Sequence, residues 1–174
     1  MKIAYAFRRT TVYPYTAGLY GPAGWGLPDE PGLTTFLKNI NEIGFDGIEL
    51  GFEVFGGYGA TESSAKELQK RLLDSGAPCV AIRAGGVLCT PVVGEQNRDR
   101  LFKSIEIAGW LGIDIVNSAL SGPPRNKTLG DNTPGKPIQQ GSSQLASYQD
   151  FERTASILHE AGERAGGAGL EVTV

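Results

Sequence analysis

The sequence predicts an α/β protein built from repeated strand–helix units, and three observations carry that prediction. Glycines recur just past four amphipathic segments, and short apolar runs of strand length lie between those segments. A helix end, a glycine and a strand also occur twice in the same order, as Ile43-Gly44-Phe45-Asp46-Gly47-Ile48-Glu49 and as Leu111-Gly112-Ile113-Asp114-Ile115-Val116-Asn117. A glycine beyond a helix supplies the left-handed residue that closes it, so Gly44, Gly76, Gly112 and the Gly166/Gly167/Gly169 group mark four helix ends.

The first helix is expected from Leu33 to Ile43, with Leu33, Phe36, Leu37, Ile40 and Ile43 on one apolar face. The second spans Ser63 to Ser75 through Ala65, Leu68 and Leu72, with Ser63 or Ser64 placed to cap its first free N–H groups. The third covers Glu95 to Leu111 through Leu101, Ile105 and Ala108. The fourth runs from Ser147 to Ala165 through Tyr148, Phe151, Ala155, Leu158 and Ala165. Strands are expected at Lys2–Arg8, Asp46–Leu50, Pro78–Arg83, Ile113–Asn117 and Leu170–Val174. Helical crossovers between strands imply a parallel sheet with right-handed connections. Five strands and four helices in this order form the first part of a TIM barrel, in one domain covering residues 1–174 and expected to be incomplete at its C-terminus. An open five-stranded parallel sheet is the alternative.

The chain is long enough for one sizeable core, and its 40% hydrophobic and 20% charged residues are those of an ordinary globular domain. A net charge of −3 and the lack of a basic run argue against a nucleic-acid partner. Neither a secretion-signal core nor a membrane-length apolar stretch occurs, so a cytoplasmic location without membrane association is expected. Cys79 and Cys89 are too few for a disulfide framework and lack metal-site spacing, which makes buried free thiols the better reading.

Three connections exceed the usual length, Arg9–Gly32, Gly51–Glu62 and Ser118–Ala146, and each follows a strand. The elaborated face is therefore at the strand C-termini. Because strand side chains alternate, Ala4, Ala6 and Arg8 share one face, as do Gly47 and Glu49, Ala81 and Arg83, and Ile115 and Asn117. Small residues below a polar residue at each strand end are what a barrel interior with an active rim requires. Arg8, Glu49, Arg83 and Asn117 are thus the candidate substrate-binding residues, although each alone reads equally as an ordinary strand end. Two guanidinium groups, a carboxylate and an amide suit a small polyhydroxylated or anionic ligand. Tyr13, Tyr15, Tyr20, Trp25, Phe52, Phe55 and Tyr58 in the rim loops are read first as loop packing and second as walls or sugar-stacking surfaces.

Other candidates carry less. His159 lies on the fourth helix, away from the strand C-termini, and reads as structural or solvated. Glu171 begins its strand, at the opposite end of the sheet from the rim, and reads as a hydrogen-bonded carboxylate rather than a metal ligand. Gly85-Gly86 reads as a turn or as an anion cradle. The glycine patterns of dinucleotide and P-loop sites are absent, and Asn126-Lys127-Thr128 is only a formal glycosylation sequon.

The segment Asn41-Glu42-Ile43-Gly44-Phe45-Asp46-Gly47-Ile48-Glu49-Leu50 resembles the helix-to-strand junction of the sugar phosphate isomerase/epimerase family, the xylose isomerase-like TIM barrels, with GFDGIEL as its strongest match. Ala108 to Asn117 resembles the junction before that family's fourth strand, and Phe151 to Val174 its approach to the fifth. The resemblance implies an enzyme of carbohydrate metabolism that moves a proton beside a sugar carbonyl or hydroxyl with a divalent metal (Mn, Mg or Zn) and two carboxylates. An isomerase, an epimerase or a related glycoside-cleaving lyase would fit. The family draws its metal ligands from the ends of the fifth and later strands, so the resemblance assigns no metal ligand and no catalytic residue here. Glu171 and Thr173 share a face, and the next inward position follows Val174, where the family's first metal-binding Glu is expected. The implied partners are a small-molecule sugar and either the remaining barrel strands or a homo- or hetero-oligomeric partner. A non-catalytic sugar- or polyol-binding module and a half-barrel that dimerises are the competing readings.

Overall fold

The computed structural model describes residues 3–6, 32–120, 122–123, 143–169 and 171–173. Strands β1 (Ala4–Ala6), β2 (Gly47–Gly51), β3 (Cys79–Gly86), β4 (Ile115–Leu120) and β5 (Glu171–Thr173) alternate with helices α1 (Gly32–Ile43), α2 (Glu62–Asp74), α3 (Pro91–Leu111) and α4 (Tyr148–Gly167). All neighbouring strands are parallel, in the spatial order β1-β2-β3-β4-β5. With right-handed crossovers, that order puts every helix on the same side of the sheet. An open doubly wound sheet instead reverses its strand order at a switch point, and no reversal occurs among these strands. The architecture is therefore part of a TIM barrel, with the helix-free face as its interior.

The core lies between sheet and helices. Ile48, Leu50, Ile82 and Val116 are fully buried on the outer face, against Leu33, Phe36, Leu37 and Ile40 of α1, Ala65 and Leu72 of α2, and Leu101, Ile105 and Ala108 of α3. Tyr5 on β1 meets Phe36 and Phe45 edge-on, with centroids 5.9 and 5.5 Å away. Helix ends fall where the glycines place them: Gly44, Gly76, Gly112 and Gly169 all have positive φ.

Pairing between β2 and β3 shifts register between Ile48 and Glu49, and Val80 stands opposite no partner. Gln69 of α2 ties down the strand there, accepting from the Cys79 N–H and donating to its carbonyl, each at 3.0 Å. Gly47 is required at this point, because a Cβ would sit 2.6 Å from the Pro78 carbonyl oxygen and 2.7 Å from Val80 Cγ1.

Several sequence expectations need correction. The α2 cap is Thr61 rather than Ser63 or Ser64; Ser64 instead completes a capping box from the third helical position. Helix α3 starts four residues earlier than the Glu95 expectation, with Pro91 in its first turn, where a missing N–H costs nothing. Strand β3 continues through Gly85-Gly86, so that pair is neither a turn nor an anion cradle. Strand β4 begins at Ile115 rather than Ile113 and extends to Leu120. On α4 the expected stripe holds only toward its C-terminal end: Tyr148 and Phe151 are 76% and 57% exposed and Ala155 is exposed, whereas Leu158 packs against the core and Ala165 is buried, together with Ile157 and Ala161. Two apolar stripes wind around this helix, and the one with small residues permits close approach. Ile43, expected on the apolar face of α1, is also exposed. Both cysteines are buried free thiols. Among the described residues no helix is long and apolar enough to cross a membrane.

Candidate functional site

The parallel register turns strand alternation into two rows of inward side chains. Ala6 pairs with Glu49 and Glu49 with Ala81 in the lower row; Gly51 pairs with Arg83 and Arg83 with Asn117 in the row nearer the strand C-termini. Glu49 therefore rises between two alanines, which leave room for its carboxylate to reach the upper row. Its Oε1 accepts from Arg83 Nη1 at 3.1 Å and its Oε2 from Asn117 Nδ2 at 3.5 Å. The Glu49 and Arg83 side chains are 14% and 24% exposed, so water screens this pair less than it would a surface ion pair.

Three of the four sequence-derived candidates thus meet at one point of the rim, although 34 and 68 residues separate Glu49 from its partners. Arg8 lies outside the described residues, as do Tyr13, Tyr15, Tyr20, Trp25 and the sequon. Phe52 and Phe55 are buried and pin the connection after β2, which folds as two short 3-10 turns, Phe52–Phe55 and Gly57–Gly59. Tyr58 is 61% exposed, meets Phe52 edge-on at 4.9 Å and donates from its hydroxyl to the Gln96 carbonyl at 3.1 Å. Partial burial pushes that hydroxyl above its usual range; Asp99 and Glu53 add to the effect and Arg100 opposes it. His159 is exposed on α4, 3.4 Å from Glu163, consistent with a solvated role.

Sequence reasoning missed Glu53 and Arg100. Arg100 Nη2 donates to Glu53 Oε1, and both side chains are about three-quarters shielded from water, with 28% and 26% exposed. The Arg100 guanidinium carbon also lies 5.5 Å from the Phe52 ring centre. This second pair borders the first: a Cβ at Gly51 would stand 3.1 Å from Glu53 Oε2 and 3.8 Å from Arg83 Nη2. Gly51 stands between the two pairs, where a side chain would crowd the Glu53 carboxylate. Continuing the β2 alternation through 47, 49 and 51 points to Glu53, which lies beyond the strand end in the first 3-10 turn; no signal in the sequence couples Arg100 to it.

Among the described residues no three His, Cys, Asp or Glu side chains gather as a metal site. At the rim, Glu49 is engaged by Arg83 and Asn117, and Glu53 by Arg100. Those residues, each carboxylate already engaged by a guanidinium, do not fit a divalent metal.

No protein-family model and no curated protein matches the sequence. Solved structures do match the fold, among them sugar epimerases and a xylose isomerase-like TIM barrel protein. A xylose isomerase-like TIM barrel protein from Mycobacterium smegmatis, in complex with magnesium, has a TM-score of 0.62 at 21% identity, covering 98% of this chain and 53% of that one. D-psicose 3-epimerase from Clostridium cellulolyticum H10, solved with D-tagatose, gives 0.59 at 13%, covering 99% and 51%. A sugar phosphate isomerase/epimerase from Parabacteroides distasonis gives 0.55 at 15%, covering 98% and 49%. The chain spans about half the length of these structures, and at such identities the likeness is one of fold.

Proposed function

We propose that this chain forms the substrate-gripping part of a sugar isomerase- or epimerase-like barrel, acting on a sugar or sugar derivative by proton transfer beside a carbonyl or hydroxyl. A related glycoside-cleaving lyase is a variant of the same reading. The observation that carries it is the Glu49 carboxylate engaged by Arg83 and Asn117 at the strand C-termini, where barrel enzymes bind their substrates. Glu49 accepts hydrogen bonds from neighbouring sugar hydroxyls, while Arg83 and Asn117 donate to sugar oxygens; together they fix the ring or chain without forming a covalent bond. The fold likeness to sugar epimerases, one solved with a sugar and another barrel with magnesium, supports the class.

The enzyme reading carries a divalent metal, Mn, Mg or Zn, as cofactor of the complete barrel. Its ligands lie outside the described rim residues. The chain is a single barrel domain, its expected partners are a small sugar and further barrel strands or an oligomeric partner, and its expected location is the cytoplasm, without nucleic-acid or membrane association.

Titration with D-fructose and D-psicose, followed by ligand-observed NMR, tests the binding step. Saturable binding is expected, weakened at least tenfold in Asn117→Ala. Deuterium incorporation beside the carbonyl in heavy water reports the proton transfer. A chain that binds neither sugar rules the reading out.

A further inference from the structure

We infer that Gln69 is a positioning residue for the rim: it holds the extra residue of β3 that turns Arg83 from the core face to the interior face. The inference rests on the sugar-site reading above and adds to it a residue that acts through the strand rather than on a ligand. Alternation alone would not deliver Arg83. Cys79 and Arg83 are separated by an even number of steps, so an uninterrupted strand would present both on one face. Yet Cys79 is 2% exposed among the core residues and pairs with Ile48, whereas Arg83 pairs with Gly51 in the interior row and reaches Glu49 at 3.1 Å.

The register shift accounts for the difference, because β3 spends one residue more than β2 between those two pairs, and Val80 is the residue passed over. Without it the pairing would run Glu49 with Val80 and Gly51 with Ile82. That would set an isoleucine in the polar row and the Arg83 guanidinium on the core face. The error would pass on to β4, where Ile82 is in register with Val116 and Arg83 with Asn117. A bulge also interrupts the ladder, and buried backbone groups there need other partners. Half-buried Gln69 supplies both for the residue just before the shift: its Oε1 accepts from the Cys79 N–H and its Nε2 donates to the Cys79 carbonyl, each at 3.0 Å. An amide side chain both accepts and donates, as the peptide groups of a neighbouring strand do. Gly47 makes the room, since a Cβ there would lie 2.7 Å from Val80 Cγ1. Space comes from β2 and hydrogen bonds from α2.

Side-chain amide NMR and isothermal titration of the full chain with D-fructose test the proposal, with Leu72→Ala as the comparison. Leu72 is fully buried further along the same helix, so its truncation costs packing but removes no hydrogen bond. Both Gln69→Leu and Leu72→Ala should lower the urea midpoint. Gln69→Leu should also shift the Asn117 side-chain amide signal, because its donation to Glu49 depends on how β3 aligns β2 with β4, and should weaken D-fructose binding about tenfold. Leu72→Ala should leave that signal in place and the affinity within about twofold of wild type. An unmoved Asn117 signal in folded Gln69→Leu, or equal effects of the two variants, overturns the proposal and leaves Gln69 a stabilising contact only. A wild-type chain that does not bind the sugar overturns the sugar reading by itself, since the amide signal still decides whether Gln69 sets the register. Where Gln69→Leu does not fold, Gln69→Glu, which keeps an acceptor for the Cys79 N–H, carries the same test.

Discussion

The same strands carry two faces of opposite character. On the helix-covered face Ile48, Leu50, Ile82 and Val116 are fully buried in an apolar core. On the interior face, one residue away along each strand, stand Glu49, Gly51, Arg83 and Asn117. The outer face is held by contacts that any well-shaped hydrocarbon could make. The inner face is held by a few directional bonds between residues distant in sequence. Packing stabilises the first, and chemistry selects the second.

Removing hydrocarbon from the outer face should have the largest effect on stability. Ile82→Ala opens a cavity between β3 and the helices and is expected to cost about 2–5 kcal/mol in urea unfolding, while leaving the sugar affinity of the folded fraction unchanged. A loss of affinity matching the loss of stability would show the two faces to be coupled.

A pH dependence sharpens the same face. Burial pushes the Cys79 thiol from an ordinary value of 9.0 to about 12, the local backbone hydrogen bonds only partly offsetting it. Below pH 9.0 the thiol is protonated in folded and unfolded chains alike, so it adds no pH dependence. Between 9.0 and about 12 the unfolded chain releases a proton that the folded chain keeps, so stability falls as pH rises. Urea midpoints across that range should drop more steeply for wild type than for Cys79→Ala; parallel slopes would show that the thiol is open to water.

On the inner face Glu49→Ala removes the carboxylate to which Arg83 and Asn117 both donate, and is expected to cost about 2 kcal/mol, the worth of a shielded charge-assisted hydrogen bond. Glu49→Gln should cost less, since an acceptor oxygen remains. The smallest effect on stability belongs to Gly51→Ala. Gly51 has φ −76°, which alanine adopts freely, and the new methyl meets only the movable end of Glu53 closely, so stability should change by about 0.5 kcal/mol or less. Sugar affinity should nonetheless fall severalfold as the methyl displaces the Glu53 carboxylate beside Arg83. Unchanged affinity would move the ligand away from the Gly51 end of the rim.

The two faces were not equally legible. Helical periodicity on α1, α2 and α3 and the closing glycines gave the order of elements, since these signals are local. The start of α4 misled because Tyr148 and Phe151 lie on a second apolar stripe that the sheet leaves uncovered. Alternation placed Glu49, Arg83 and Asn117 on one face, but the reading put them on a common rim, whereas register sets Glu49 one row below the other two. Glu53 was within reach of the same period-2 count. Arg100 was not, because its position depends on how α3 lies over the turn after β2.

By itself the sequence determined the strand–helix alternation, the helix ends and the polar character of the interior strand ends, because each follows from spacing along a few turns of chain. Only the tertiary structure decided which charges pair. The register shift at Val80, the alanines flanking Glu49 and the bare backbone at Gly51 set distances across the sheet, and ion pairing depends on those distances rather than on separation along the chain.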